Sequence, residues 1–189
     1  MQNLKSLLLL TGKPGVGKTT VLTKAVSILK KEGFNIGGII SREVRESGIR
    51  VGFEILDLAS EKRGWLAQLN QTTGPKVGKY RVNLEDLEKI GAQAIIHAVE
   101  NSQVVVIDEI GPMELFSEKF KSATRKALES TKTVLAVVHW KARDKLIEDA
   151  KNMKDSEMYV VTLENRNDLS QIIADKAIKA LENTANHPP

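Results

Sequence analysis

Eight residues, Gly12-Lys13-Pro14-Gly15-Val16-Gly17-Lys18-Thr19, follow the spacing GxxxxGKT and carry the parts of an anion receptor. Glycines at 12, 15 and 17 let a phosphate approach the main chain, so that successive N–H groups can turn inward around it. Lys18 has the reach to meet the β- and γ-phosphates, and the Thr19 hydroxyl is suited to ligate Mg2+. Thr20 belongs to the same set of predicted nucleotide contacts. The competing account is a glycine-rich turn that happens to precede a lysine. Context argues against it: the apolar run Leu7–Leu10 comes before the loop, and Leu22, Ala25, Val26 and Leu29 share one helical face after it. Strand, loop and helix in that order are the setting the motif requires.

A second group of chemical residues lies far along the chain. Val104-Val105-Val106-Ile107 is a buried-strand run that empties into Asp108-Glu109. Asp108 is the expected partner of Thr19 around Mg2+, and Glu109 sits where a carboxylate can orient or deprotonate water facing a γ-phosphate. The plain alternative is a pair of solvated turn carboxylates. Ligands of such sheets bind beyond the carboxyl ends of the strands, which is the edge where both acids fall.

Other residues carry weaker signals. Arg45 and Arg50 flank the turn Ser47-Gly48 and could bring positive charge over the phosphates, although arginines on an exposed hairpin are common. Asn165-Arg166-Asn167-Asp168 resembles a guanine-reading pattern, and Asn165 and Arg166 are expected at the nucleotide. The rival for Asp168 is a capping box with Gln171. His139 ends a strand where a γ-phosphate sensor could stand, but a structural role is the commoner one. Glu114 falls near a helix start, where a carboxylate favours the helix dipole without catalytic duty.

The elements that must position these groups alternate. Strands are expected over Leu4–Leu10, Asn35–Ser41, Val104–Ile107, Thr133–Val138 and Met158–Thr162. Helices are expected after the loop to about Lys31, from the cap Asn83, over 142–153, and over 169–182 behind Asp168. Period-two alternation in Glu43–Ser60 predicts an antiparallel hairpin, Arg63–Leu69 a further strand, and 70–79 a loop. The pattern specifies an α/β, three-layer P-loop NTPase fold: a mainly parallel sheet, helices on both faces, and an inserted antiparallel β-hairpin. Residues 1–183 read as one domain and 184–189 as a disordered polar tail.

Composition narrows the function classes. The 189 residues are 41% hydrophobic and 28% charged, as in a soluble globular chain, and no run has the length of a membrane span. No export signal is evident, which points to the cytoplasm. There is no cysteine, so disulfides, thiolate metal sites and cysteine nucleophiles are excluded. A net charge of +4 is spread among interleaved acids, and aromatics make up 4%, so nucleic acid is not the expected partner. A membrane is not expected either, and the residues name no protein partner.

With Ile110-Gly111-Pro112-Met113-Glu114-Leu115 the acid pair extends to DEIGPMEL. Together with GKPGVGKTT, this resembles the cancer-related nucleoside-triphosphatase family first met in thermophiles. EVRESGIRVGF (Glu43–Phe53), GKYRV (Gly78–Val82) and VTLENRN (Val161–Asn167) are similar to further blocks of that family. The resemblance runs from about residue 8 to 170, leaving Lys141–Met158 unmatched. It implies Mg2+-dependent hydrolysis of nucleoside 5'-triphosphates (ATP, GTP, CTP, UTP) to diphosphate and phosphate. Two rivals share the loop. One is a small nucleoside or nucleotide kinase, which would need an acceptor site and an arginine-rich lid. The other is a GTP-dependent switch, favoured by the DxxG form of Asp108–Gly111 and by Asn165–Asp168.

Overall fold

The structure is a computed structural model that describes residues 6–186. The apolar runs fold as strands whose side chains alternate between two cores. Leu7, Leu9, Val105 and Ile107 enter one core with Ile95, Phe120 and Ile147. Leu8, Leu10, Val104 and Val106 enter the other with Leu22, Ala25 and Ile173. Both faces of the sheet are therefore covered, and β1 (Leu7–Thr11) is buried at every position. That is the expected state of a central parallel strand.

After β1 come α1 (Lys18–Lys31), β2 (Ile36–Glu46), β3 (Ile49–Asp57), β4 (Arg63–Gln68), β5 (Lys76–Val77) and β6 (Tyr80–Val82). The helix α2 (Leu84–Asp86) leads through a π-helical stretch, Leu87–Ala92, directly into α3 (Gln93–Asn101). The chain then forms β7 (Val104–Ile110), a 3-10 turn (Glu114–Phe116), α4 (Glu118–Glu129), β8 (Thr133–Val138), α5 (Lys145–Asn152), β9 (Ser156–Val160) and α6 (Arg166–Asn186). Among the described residues nine strands join one sheet in the order β5-β6-β4-β3-β2-β7-β8-β1-β9. The stretch from β2 through β7, β8 and β1 to β9 is parallel, and β3 to β6 add antiparallel strands at one side. The mixed sheet, two helical layers and added hairpin match the fold class expected from the sequence.

Several boundaries differ from the sequence pattern, each for a local reason. The second strand and the first arm of the hairpin are one strand, because β2 pairs in parallel with β7 through Ile36–Ile39 and antiparallel with β3 through Ile39–Glu46. Ser47 and Gly48, both at positive φ, close the hairpin turn. The 70–79 loop contains β5, which pairs with β6. α5 starts at Lys145 because the Asp144 carboxylate caps it, accepting from the Leu146 N–H at 2.8 Å. α6 continues through residues 184–186, where the sequence pattern predicts a disordered polar tail. The expected first strand began at Leu4 and the tail ended at Pro189; residues 1–5 and 187–189 lie outside the described residues.

Gly38 shows how tightly β2 sits on β7. Its φ is +104°, and a Cβ there would lie 2.1 Å from the Val106 carbonyl oxygen. Backbone on both sides leaves nothing to yield. Gly38→Ala is expected to lower stability by at least about 1–3 kcal/mol, the cost of a strained backbone position, read as a lower urea midpoint with the slope unchanged. An unchanged midpoint would mean that the two strands can part at no cost.

Candidate nucleotide site

The phosphate loop joins β1 to α1, and the way α1 begins prepares an anion site. Gly17 precedes it at φ 108°, no side chain caps the helix, and no acid occupies its first turn. Its free N–H groups and positive dipole end are thus uncompensated. At the other end Lys30 and Lys31 balance the dipole. Gly12 is required by crowding as well as by angle: its φ is +153°, and a Cβ would stand 2.7 Å from the Val161 carbonyl oxygen. Lys13, Pro14 and Gly15 are exposed along the rim, Val16 and Gly17 are half-buried, and Thr20 is exposed on the first turn of α1.

The loop holds its own lysine. Lys18 Nζ donates to the carbonyls of Gly12 at 3.2 Å and Lys13 at 3.4 Å, and lies 4.0 Å from Glu109 Oε2. The ammonium is therefore already inside the loop, beside the acid at the end of β7. Thr19 Oγ1 donates to Asp108 Oδ1 at 3.2 Å, so two stretches 89 residues apart meet as the sequence pattern requires.

Asp108 is 1% exposed, and its Oδ2 has no hydrogen-bond partner. Burial pushes its carboxyl up to about 7, with the Glu109 charge adding to the rise; Thr19, the Ser41 backbone and Lys18 act the other way. An orphaned buried carboxylate oxygen beside a threonine hydroxyl fits a hard divalent cation, which takes oxygen donors and resolves the unpaired charge. Among the described residues no group of three or more acids or histidines is placed to hold a metal ion by itself. Any cation here would thus take its remaining ligands from phosphate oxygens and water.

β8 separates the strand of the loop from the strand of the acids. It ends at His139, whose N–H donates to the Ile110 carbonyl at 3.1 Å, tying the ends of β7 and β8 together. The ring's Nδ1 accepts from the N–H groups of Ala142 at 3.0 Å and Lys141 at 3.2 Å. Burial, then the positive charge of Lys18, lowers its basicity, so the ring is neutral with its proton on Nε2. Its evident role is to cap the turn that leads toward α5.

The remaining predicted residues divide. Arg166, at the start of α6, reaches the loop: its Nη1 donates to the Val16 carbonyl at 3.4 Å, and its side chain runs past Gly17. Asn165 is committed elsewhere. Its Oδ1 accepts from the Thr162 N–H at 2.8 Å and its Nδ2 donates to the Val160 carbonyl at 2.9 Å. Thr162 Oγ1 in turn accepts from the Asn165 N–H at 3.2 Å, so a Thr162–Asn165 capping box starts this helix and Asp168 does not. Gln171, the expected partner of Asp168, donates instead to Asp175.

Arg45 and Arg50 are held on the hairpin. Arg45 donates to Glu43 at 2.5 Å and to the Gly48 carbonyl at 2.7 Å. Arg50 donates to Glu43 and to the Tyr80 hydroxyl, each at 2.8 Å, and lies over the rings of Phe53 and Tyr80. None of these bonds reaches the phosphate loop.

One acid that the sequence places at a helix start is part of the site. Glu114 is 5% exposed, and burial, reinforced by the Glu109 charge, pushes its carboxyl up to about 8. The signal in the sequence was its place in DEIGPMEL rather than any periodicity.

A phosphate loop, a buried acid strand one position removed from it, and a carboxylate facing the loop lysine define a P-loop nucleoside-triphosphatase fold. A family model described as NTPase matches residues 7–174, and the chain belongs to that family. It is 48% identical to the nucleoside-triphosphatase THEP1 of Thermofilum pendens over 84% of this chain and 87% of the relative. It is 47% identical to the protein of that name from Methanosarcina acetivorans, over 90% of this chain and 96% of the relative. Among solved structures it is similar to THEP1 of Aquifex aeolicus, with a TM-score of 0.79, 28% identity, and coverage of 90% and 98% of the two chains. A human cancer-related nucleoside triphosphatase gives 0.78 at 35% identity, covering 92% and 98%.

The buried acids make stability depend on pH. Glu114 and Asp108 have folded values above their unfolded ones, so their stabilisation is complete below the ordinary carboxylate range and is lost as pH rises through about 8 and about 7. His139 acts in the opposite sense only below its ordinary value of 6.5. The ligand-free protein should therefore lose melting temperature between about pH 6.5 and 8, and Glu114→Gln should flatten that slope. A flat wild-type profile would show both carboxyls to be better solvated than the geometry indicates.

Proposed function

We propose that the chain hydrolyses nucleoside 5'-triphosphates to the diphosphate and phosphate, with Mg2+ held between Thr19 and Asp108. The observation that carries this reading is the Glu109 carboxylate, 4.0 Å from the loop lysine and attached to the metal-side acid. Its position suits a group that orients water rather than one that captures a second substrate. When bound, Mg2+ would neutralise phosphate charge and fix the β- and γ-oxygens.

The protein's own residues do the rest. Loop N–H groups and Lys18 exchange internal carbonyl partners for phosphate oxygens. Glu109, whose carboxyl burial pushes up and Lys18 draws back toward its charged form, accepts a hydrogen bond from the attacking water and sets it in line with the γ-phosphorus. Arg166, lying along the loop at Val16 and Gly17, is suited to contact the α-phosphate or the base side of the nucleotide. With its amide used in the helix cap, Asn165 offers little to a guanine, which weighs against the switch reading and favours broad base tolerance.

The test is phosphate release with Mg2+ across ATP, GTP, CTP and UTP, with and without nucleoside or monophosphate acceptors. Acceptor-independent release that falls by about 10²–10⁴ in Glu109→Gln, with nucleotide binding intact, is the expected result. Transfer only to an acceptor would make the protein a kinase, and turnover of GTP alone would make it a switch.

The hairpin arginines belong to the same proposal. To serve as transition-state cations, Arg45 or Arg50 would have to leave Glu43 for phosphate, an exchange between exposed partners that costs little. Arg45→Ala or Arg50→Ala should then lower kcat by at least about 10-fold with binding unchanged. Equal turnover in both variants would leave the pair a purely structural clasp.

A further inference from the structure

Glu114 has no task in the reaction described above, yet it is a buried acid placed where burial is costly. The chain turns at Gly111 just beyond β7, with the Leu115 N–H donating to the Gly111 carbonyl at 3.0 Å, and the 3-10 turn begins at Glu114. That turn folds the Glu114 side chain back under the end of β7. The point that a Cβ on Gly111 would occupy lies 3.1 Å from Glu109 Oε1 and 3.2 Å from Glu114 Oε2. The His139 Cβ closes the third side at 3.4 Å. The two carboxyl groups therefore both border the Cβ side of Gly111, and any side chain at 111 would meet both.

Two acids brought together in a poorly solvated space do not both ionise. Glu114 is the more deeply buried, at 5% exposure against a Glu109 side chain that is 23% exposed and faces Lys18. The proton therefore belongs to Glu114, in line with its raised value and with the contribution of Glu109 to that rise. A neutral carboxylic acid is a hydrogen-bond donor, whereas a carboxylate is not.

Building on the triphosphatase reading, we infer that Glu114 is a positioning residue: its buried carboxyl fixes the Glu109 carboxylate over Gly111, leaving the other Glu109 oxygen for the attacking water. Glu109 Oε1 faces the Gly111 space, and Oε2 is the atom near Lys18. The division of labour between the oxygens follows from that geometry. One is anchored from below, and the other works above the loop.

The test compares Glu114→Leu and Glu114→Gln in the full chain, measuring kcat, KM, affinity for a non-hydrolysable triphosphate, and melting temperature. Leucine fills the volume without a donor, and glutamine restores one. Glu114→Leu should lose kcat on the order of 10- to 100-fold through misplacement of the working group, with KM and analogue affinity within about 3-fold of wild type. Because leucine also gives up the Gly111 and Glu114 N–H groups from which the carboxyl accepts, melting temperature is the control, and the rate loss should exceed what any fall in it accounts for. Glu114→Gln should recover most of the lost rate.

Wild-type kcat in Glu114→Leu would overturn the inference. So would loss of rate in proportion to loss of melting temperature in both variants, which would mark a structural role. The Glu109→Gln assay described above distinguishes this failure from failure of the triphosphatase reading: if Glu109 matters and Glu114 does not, only the positioning role is lost.

Discussion

The hydrogen bond from Thr19 to Asp108 joins two halves of the molecule that share little else of their chemistry. One half is the loop and the helix it opens, and the other is the strand that carries the acids. Asp108 can be buried only because the threonine hydroxyl, the Ser41 backbone and the charge of Lys18 oppose the cost of removing a carboxylate from water. That compensation is incomplete, since one oxygen has no partner. On the proposed reading, a divalent cation at Thr19 and Asp108 would supply the missing partner. The alternation of Leu7–Leu10 and Val104–Ile107 between two cores serves this end by holding the strand ends in fixed relation.

The strand order adds a second requirement. β8 lies between the loop strand and the acid strand, so the loop lysine and Glu109 face one another across the end of an intervening strand. His139 occupies that end and spends its ring nitrogen on the following turn. Its neutrality matters electrostatically, because a second cation beside Lys18 would compete for Glu109. Lowered basicity keeps the acid–lysine relation a simple one.

Much of this was legible in the residues. GxxxxGKT and a buried strand ending in Asp-Glu are local patterns whose chemistry survives any plausible packing, and the structure brings Thr19 and Asp108 into contact as the pattern implies. Side chains whose use depends on competition were not legible. Asn165 looked like a base reader, but main-chain groups of Thr162 and Val160, three and five residues away, take its amide first. Glu114 looked like a dipole residue because helical position was visible and the inward turn at Gly111 was not. Gly38 lies flush on the Val106 backbone of β7 and Gly37 lies under Ala98 and Ser102, close approaches that no local pattern announces. Propensity describes one residue at a time, and each of these outcomes depended on a neighbour far away in sequence or on the path of the backbone.

The continuity of β2 has a mechanical meaning. One strand is clamped in the parallel sheet through Ile36–Ile39 and then projects as the inner arm of the hairpin, with the turn at Ser47-Gly48 as its free end. It is a cantilever. Its root emerges at Ser41, whose backbone faces the Asp108 carboxylate. One strand thus serves hairpin and acid, its free tip at Ser47-Gly48 and its root against the buried Asp108.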